Sequence, residues 1–246
     1  MLQEACCVVN FPIRPIRYAI ALAAMLSTPY SAARDTLLLA GYSGSSRGNY
    51  GYLGGIVPIS SPYLYKDGFL LRLWLARADF RYISASGQDI QGLAPEFEAS
   101  LGYLTYLGDK NNRMSVYLGG VHRNARLTPG DPFSHLEEKR NGIRVQGDLA
   151  LRPTSTLDFS LSASHTGNIG DAWSRVRPGY VFGERIILGP EMLSIRGDAY
   201  NRRRVGISLE SMPLGKNAEL TLSLGRERDR DRGTSGYAGL SLISWF

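Results

Sequence analysis

The stretch Thr156-Leu157-Asp158-Phe159-Ser160-Leu161-Ser162-Ala163-Ser164 decides the fold class. Leu157, Phe159, Leu161 and Ala163 alternate one for one with Thr156, Asp158, Ser160, Ser162 and Ser164. Successive side chains of an extended strand point to opposite faces, so this segment reads as a strand with one apolar and one polar face. A helix would repeat its apolar residues at i, i+3, i+4 and i+7, and no long stretch of the chain does so.

The same period continues on both sides. Upstream, Phe69, Leu71, Leu73 and Leu75 oppose Arg72 and Trp74. Pro95, Phe97, Ala99, Leu101 and Tyr103 oppose Glu96, Glu98, Ser100 and Gly102, and Ile143, Val145, Gly147, Leu149 and Leu151 oppose Arg144, Gln146, Asp148, Ala150 and Arg152. Downstream, Val205, Ile207 and Leu209 oppose Arg204, Gly206, Ser208 and Glu210. Twelve runs are expected, near residues 36–42, 49–57, 68–80, 90–105, 112–124, 139–152, 156–166, 171–183, 185–196, 199–211, 217–227 and 235–246. Spread over residues 34–246 they leave roughly 18 residues per strand and connection, where an outer-membrane strand needs about 9–11 to cross. Connections after even-numbered strands are tight, as at Gly108-Asp109-Lys110-Asn111, Arg152-Pro153-Thr154-Ser155, Gly183-Glu184 and Pro213-Leu214-Gly215-Lys216. Those after odd strands include residues 125–138 and the charged 226–233. Short turns at one end and longer polar loops at the other are the layout of a transmembrane barrel, although residues 58–66, after the second strand, are long for a periplasmic turn. The expected fold is all-β: a single antiparallel transmembrane β-barrel of about 12 strands, of the outer-membrane type, over residues 34–246, with both termini in the periplasm.

Composition agrees. The 246 residues include 28 glycines and 14 tyrosines but only three histidines, richer in glycine and tyrosine than a helical enzyme. The longest uncharged apolar run, Tyr18 to Leu26, is too short to cross a bilayer as a helix. It follows Arg14 and Arg17 and precedes Ser27-Thr28-Pro29 and Ser31-Ala32-Ala33, so residues 1–33 read as a signal peptide cleaved after Ala33. Cys6 and Cys7 both lie in this leader, without the apolar run of a lipoprotein signal before them, and its removal excludes a zinc–thiolate site, a disulfide and a cysteine nucleophile. The net charge of +6 comes from arginines spread through alternating segments rather than clustered, so nucleic acid is not an expected partner. The chain closes on Leu240-Ser241-Leu242-Ile243-Ser244-Trp245-Phe246, whose terminal aromatic resembles an outer-membrane assembly signal, although Ser244 interrupts the strict apolar alternation.

A secreted soluble β-sandwich or barrel would turn the apolar face inward. Small and charged residues on the polar face (Gly102, Gly119, Arg144, Asp148, Arg204, Glu210) favour a hydrated lumen instead. So do Tyr103, Tyr117, Tyr180, Tyr200, Tyr237 and Trp245 near strand ends, placed as interfacial girdles. The polar face collects Arg72, Glu96, Glu98, Arg144, Asp148, Asp158, Arg175, Arg177, Glu191, Arg202, Arg204, Glu210 and Glu219. In one reading these charges neutralise one another, as buried charges must. In the other, Trp173, Arg175, Arg177, Glu191, Arg202 and Arg204 line a path for a sugar chain, with the indole stacking on pyranose faces. Gly189-Pro190 reads as a bulge or kink, serving barrel curvature or aiming Glu191 inward.

Enzyme signals are weak. His122, His135 and His165 have no metal-ligand spacing, and Ser164 and His165 are neighbours that point to opposite faces. Ser162 or Ser164 with His122 is the one remaining acyl-hydrolase arrangement. Gly51-Tyr52-Leu53-Gly54-Gly55 has no helix after it to bind phosphate. No catalytic residue, metal or cofactor is expected. The run Arg-Glu-Arg-Asp-Arg-Asp-Arg over 226–232 reads as a solvated loop of self-paired charges, or as a contact for lipopolysaccharide phosphates.

Several short motifs resemble a known family. Tyr180-Val181-Phe182-Gly183-Glu184-Arg185, Leu188-Gly189-Pro190-Glu191, Asp198-Ala199-Tyr200 and Arg204-Val205-Gly206 look like the cellulose biosynthesis protein BcsS family. Ser223-Leu224-Gly225, Arg228-Asp229 and Gly236-Tyr237 are similar to its last hairpin, and Ala40-Gly41-Tyr42-Ser43-Gly44 to its first strand. The resemblance implies a place in bacterial cellulose production at the outer membrane and brings no catalytic residues. The expected function is a non-catalytic outer-membrane accessory of cellulose biosynthesis or export: a pore, a guide or a surface anchor. Its partners would be outer-membrane lipid, a cellulose chain and periplasmic components of the synthase. The alternatives are a structural or lipid-modifying barrel unrelated to cellulose, and a secreted carbohydrate-binding β-domain.

Overall fold

In the computed structural model Leu71, Leu73 and Leu75 point away from the interior while Arg72 and Trp74 point into it, and this polarity repeats around a closed sheet. The structure describes residues 36–131, 134, 136, 139–183, 185–197, 200–230 and 232–246. The leader expected over residues 1–33, His135, Glu184 and the Asp198-Ala199 pair lie outside the described residues.

The strands are β1 (Leu37–Ser45), β2 (Gly48–Pro58), β3 (Gly68–Ile83), β4 (Asp89–Tyr106), β5 (Arg113–Asn124), a short β6 (Arg126–Thr128), β7 (Lys139–Leu151), β8 (Leu157–Thr166), β9 (Asp171–Phe182), β10 (Ile186–Gly197), β11 (Tyr200–Pro213), β12 (Ala218–Asp229) and β13 (Gly233–Trp245). All but β6 build the wall. Each pairs antiparallel with its sequence neighbours, β5 running on to β7, and β1 with β13 closes the ring. Closure leaves no free sheet edge, which a bilayer requires because its hydrocarbon offers backbone groups no partner. The odd member is β6, folded back from the 125–138 connection onto Gln91–Leu93 of β4.

The wall is inverted relative to a soluble protein. Ile143 is 63% exposed, Leu101 and Leu118 60% and Val205 59%, while Glu98 and Glu227 are fully enclosed. An apolar exterior around a charged interior is stable only against lipid, so the polar face lines a lumen and the secreted-domain alternative falls away. Phe69 meets Tyr103 edge-on at 5.2 Å, and Tyr180 meets Phe182 at 4.9 Å, outward-facing at the end that holds both termini. These pairs fit an interfacial girdle. Tyr117, Tyr200 and Tyr237 do not: they share the inward parity of Gln146, Arg202 and Gly225, and Tyr117 and Tyr237 are buried in the lumen. Proximity to a strand end sets height along the barrel, whereas parity sets the face.

Loop lengths follow the expected asymmetry only partly. The 125–138 connection is the long one at the end opposite the termini, but 46–47, 198–199 and 230–232 at that end are short. Extra length there is carried instead by β3 and β4, which stay paired out to Ile83 and Asp89. Phe80, Ile90 and Ala94 on the inner side of this extension pack with Ala125 and Leu127 of the long connection. At the opposite mouth, the 59–67 connection brings Leu64 against Leu70, Leu104 and Tyr117, and Tyr106 donates its hydroxyl hydrogen to the Leu64 carbonyl at 2.8 Å. Each end of the lumen therefore carries an apolar cluster.

No bulge occurs at Gly189-Pro190. The β9–β10 register is the same on both sides, with Leu188 opposite Tyr180 and Met192 opposite Val176, and only the ladder between them is interrupted. Pro190 there faces Pro178, and neither has a backbone N–H to give. The strands close in at this point: a Cβ on Gly189 would lie 2.0 Å from the Pro178 carbonyl oxygen. The bulge sits in β11 instead, between Leu209 and Met212, where Ser211 takes a φ of 55°.

Candidate functional site: the charged lumen

Regular alternation turns every second residue of twelve strands into one enclosed space, so charges far apart in sequence meet there. The first group lies on β3, β4, β5 and β7. Arg72 pairs with Glu98 at 2.9 Å and donates to the Gln146 side-chain oxygen at 2.8 Å. Its guanidinium sits between the rings of Trp74 and Tyr117, at 5.0 and 4.9 Å. Arg144 bridges Glu98 at 2.7 Å and Glu96 at 2.8 Å, and donates to the Thr166 hydroxyl at 2.8 Å. Arg123 pairs with Glu96 at 2.6 Å and reaches Asp171 on β9.

The second group occupies β9 to β13 and β1. Arg177 pairs with Glu191 at 2.5 Å and Glu210 at 2.9 Å, while the Tyr237 hydroxyl donates to Glu191 at 3.1 Å from three strands away. Arg204 pairs with Glu227 at 2.6 Å, lies 5.0 Å over the Tyr237 ring and donates to the Ser43 hydroxyl of β1. Arg202 pairs with Asp229 at 3.1 Å and reaches the Arg47 carbonyl. Near the loop-bearing end Phe80 of β3 and Tyr200 of β11, on opposite walls, stand 6.1 Å apart. The lumen is crossed by side chains rather than merely lined by them.

All six candidates from the sequence face this space, but they divide. Arg177, Glu191, Arg202 and Arg204 are members of ion pairs. Trp173 and Arg175, neighbours on the inner side of β9 opposite Ser164 and Ser162, are not: the guanidinium rests 5.9 Å over the indole, and no acid pairs with it among the described residues. Arg123, Asp171, Glu227 and Asp229 belong to the network and were absent from the sequence-derived candidates. Glu227 and Asp229 correct the reading of 226–232 as a solvated loop. Residues 226–229 extend β12 in unbroken register with β11, so Glu227 and Asp229 point inward while Arg226 and Arg228 point out. The signal was available, because Thr221, Ser223 and Gly225 already set the inward parity.

The arrangement considered for an acyl hydrolase is separated by the wall. Ser164 faces the lumen, whereas His122 lies on the outer face and contacts the Asn141 side chain at 2.8 Å. A cavity of about 520 Å³ opens at the loop-bearing rim, with Arg47, Arg77, Asp79, Arg81 and Arg126 around it.

Comparison with known proteins adds the family. Residues 37–246, the whole barrel, match the family model described as cellulose biosynthesis protein BcsS. The chain belongs to that family. No curated protein matches it. Among solved structures, the COG4313 outer membrane channel from Pseudomonas putida F1 superposes with a TM-score of 0.58 at 13% identity, over 89% of this chain and 99% of that one. The KdgM porin gives 0.50 at 13% identity, over 85% and 99%. Outer membrane phospholipase A from Escherichia coli gives 0.42 at 14% identity, too slight a likeness to bear on activity. At such identities the likenesses speak for the fold: this BcsS-family chain is an outer-membrane-type barrel.

Proposed function

We propose that this BcsS-family barrel is a non-catalytic accessory of cellulose biosynthesis that acts as an anchor in the outer membrane rather than as an open pore. One observation carries the reading: polar side chains in the lumen join strands that are not neighbours, Tyr237 on β13 by a hydrogen bond to Glu191 on β10 and Arg123 on β5 by an ion pair with Asp171 on β9. Twelve strands stand between barrels that side chains fill and those that leave an aqueous channel, so the filling decides. Here ion pairs fill the middle and apolar clusters stand at both mouths. Its partners would be periplasmic synthase components and the nascent glucan, a reading that the family match supports. The test is conductance of the purified barrel in planar bilayers, set beside surface cellulose in cells lacking the gene. An anchor gives no steady channel current, with loss of retained cellulose on deletion. Sustained ohmic current from wild-type protein refutes it.

A guide is the second reading, favoured by Trp173 and Arg175, which alone among the six candidates stay outside the ion pairs. Replacing Trp173 and Arg175 together by alanine should then lower surface cellulose in cells whose barrel still assembles. Unchanged cellulose rejects the guide.

A further inference from the structure

The β11–β12 ladder sorts its charges by face. Inside, Arg202 stands opposite Asp229 and Arg204 opposite Glu227, each pair neutral. Outside, the same ladder sets Arg203 directly opposite Arg228, with Arg226 one step along β12 and Arg196 on the adjoining β10. All four are exposed. Side chains directly opposite on one face lie about 4.5–5.5 Å apart at Cβ, and like charges there repel. Among the described residues no acid pairs with them: at this height the outer faces of β9, β10, β11 and β13 present Ala172, Ser174, Ser194, Asn201, Thr234 and Gly236. Elsewhere on the outer wall, by contrast, Arg77 pairs with Asp79 at 3.2 Å.

The position along the barrel defines what the cluster meets. Immediately toward the termini the same outer faces carry Met192, Val205, Ile207 and Leu224, each more than half exposed. The arginines thus begin where the lipid-facing belt ends, at the loop-bearing rim. With both termini in the periplasm that rim lies at the headgroups of the outer leaflet, whose phosphorylated glycolipid presents phosphate monoesters. Guanidinium groups bind phosphate oxygens bidentately and hold charge at any physiological pH. We infer that Arg196, Arg203, Arg226 and Arg228 form a binding site for the phosphates of an outer-leaflet glycolipid, which bridges the Arg203–Arg228 pair and fixes the barrel's rotational setting in the leaflet. The inference rests on the orientation of the barrel and is independent of any role in glucan handling.

The test uses full-length chain purified from outer membranes in mild detergent, with native mass spectrometry reading bound lipid A. Wild-type protein should retain bisphosphorylated lipid A and lose most of that binding when the lipid is enzymatically dephosphorylated. R203Q/R228Q should bind about tenfold more weakly or worse, because two charge-assisted contacts are lost, with heat-modifiability unchanged. R77Q, on another part of the outer wall, should bind as wild type does. Equal retention of the dephosphorylated lipid, an experiment that needs no variant, overturns the site. So does displacement by inorganic phosphate as effective as by lipid A, which would reduce it to a generic anion patch. Preference for an acidic polysaccharide over lipid A would assign the patch to a different partner and overturn it too.

Discussion

Replacing Glu98 by glutamine tests whether ion pairing holds the lumen together. Glu98 is fully enclosed and accepts from three donors: Arg72 at 2.9 Å, Arg144 at 2.7 Å and the Ser100 hydroxyl at 3.0 Å. The amide conserves shape but removes the charge and puts two hydrogens where acceptors stood. Arg144 would keep Glu96 and Thr166. Arg72 would face only neutral oxygens, those of Gln146 and the new amide, and its Nε has no hydrogen-bond partner among the described residues. Removing one member of a buried ion pair costs about 3–5 kcal/mol, because the remaining charge stays desolvated without compensation. The same reasoning gives a rescue. In R72M/E98Q the orphaned cation is gone and a flexible thioether fills its place between Trp74 and Tyr117, so most of the loss should return, with a coupling of about 2 kcal/mol or more. The assay is urea unfolding of the barrel in lipid vesicles followed by tryptophan fluorescence, with heat-modifiability reporting closure. An E98Q barrel within about 0.5 kcal/mol of wild type refutes the argument, since that is the scale of an ordinary exposed substitution. A double variant no more stable than E98Q refutes the rescue.

Three further outcomes are expected. G189A should destabilise the barrel by about 1–3 kcal/mol or block its closure, because the added methyl group meets the Pro178 carbonyl. G120A, with open space around it, should change stability by less than about 0.5 kcal/mol; equal effects in the same urea assay would sink the steric account. Tyr237→Phe should cost about 1–3 kcal/mol by leaving a Glu191 oxygen one donor short inside the lumen, and an unchanged unfolding midpoint would count against that contact. Protein taken from outer membranes should begin at Arg34 on N-terminal sequencing; a chain beginning at Met1 would contradict a cleaved leader.

The strands and their two faces were legible because alternation is a property of the local backbone. Leu157, Phe159 and Leu161 need no distant partner to share a face, and each of the twelve expected runs overlaps a wall strand. The reading failed where composition overrode parity. Residues 226–229 read as part of a loop because they are all charged, although their alternation continues that of Thr221, Ser223 and Gly225. It failed again at Gly189-Pro190, where the cause of the interrupted ladder, Pro178, lies on the facing strand. Only register brings the two prolines together.

The sequence by itself determined the architecture of the wall, since side-chain alternation of period two, twelve times over and separated by turns, admits an inside and an outside without reference to anything remote. Tertiary structure alone decided which polar groups in the lumen meet. Arg123 finds Asp171, and the Tyr237 hydroxyl finds the Glu191 carboxylate it donates to, only after the ring has closed and the strands have settled their stagger. That stagger depends on turn lengths and on the bulge at Ser211, which shift every later contact together. The same closure left Arg203 facing Arg228 on the lipid side. Register is a property of two strands at once, and no single strand's sequence contains it.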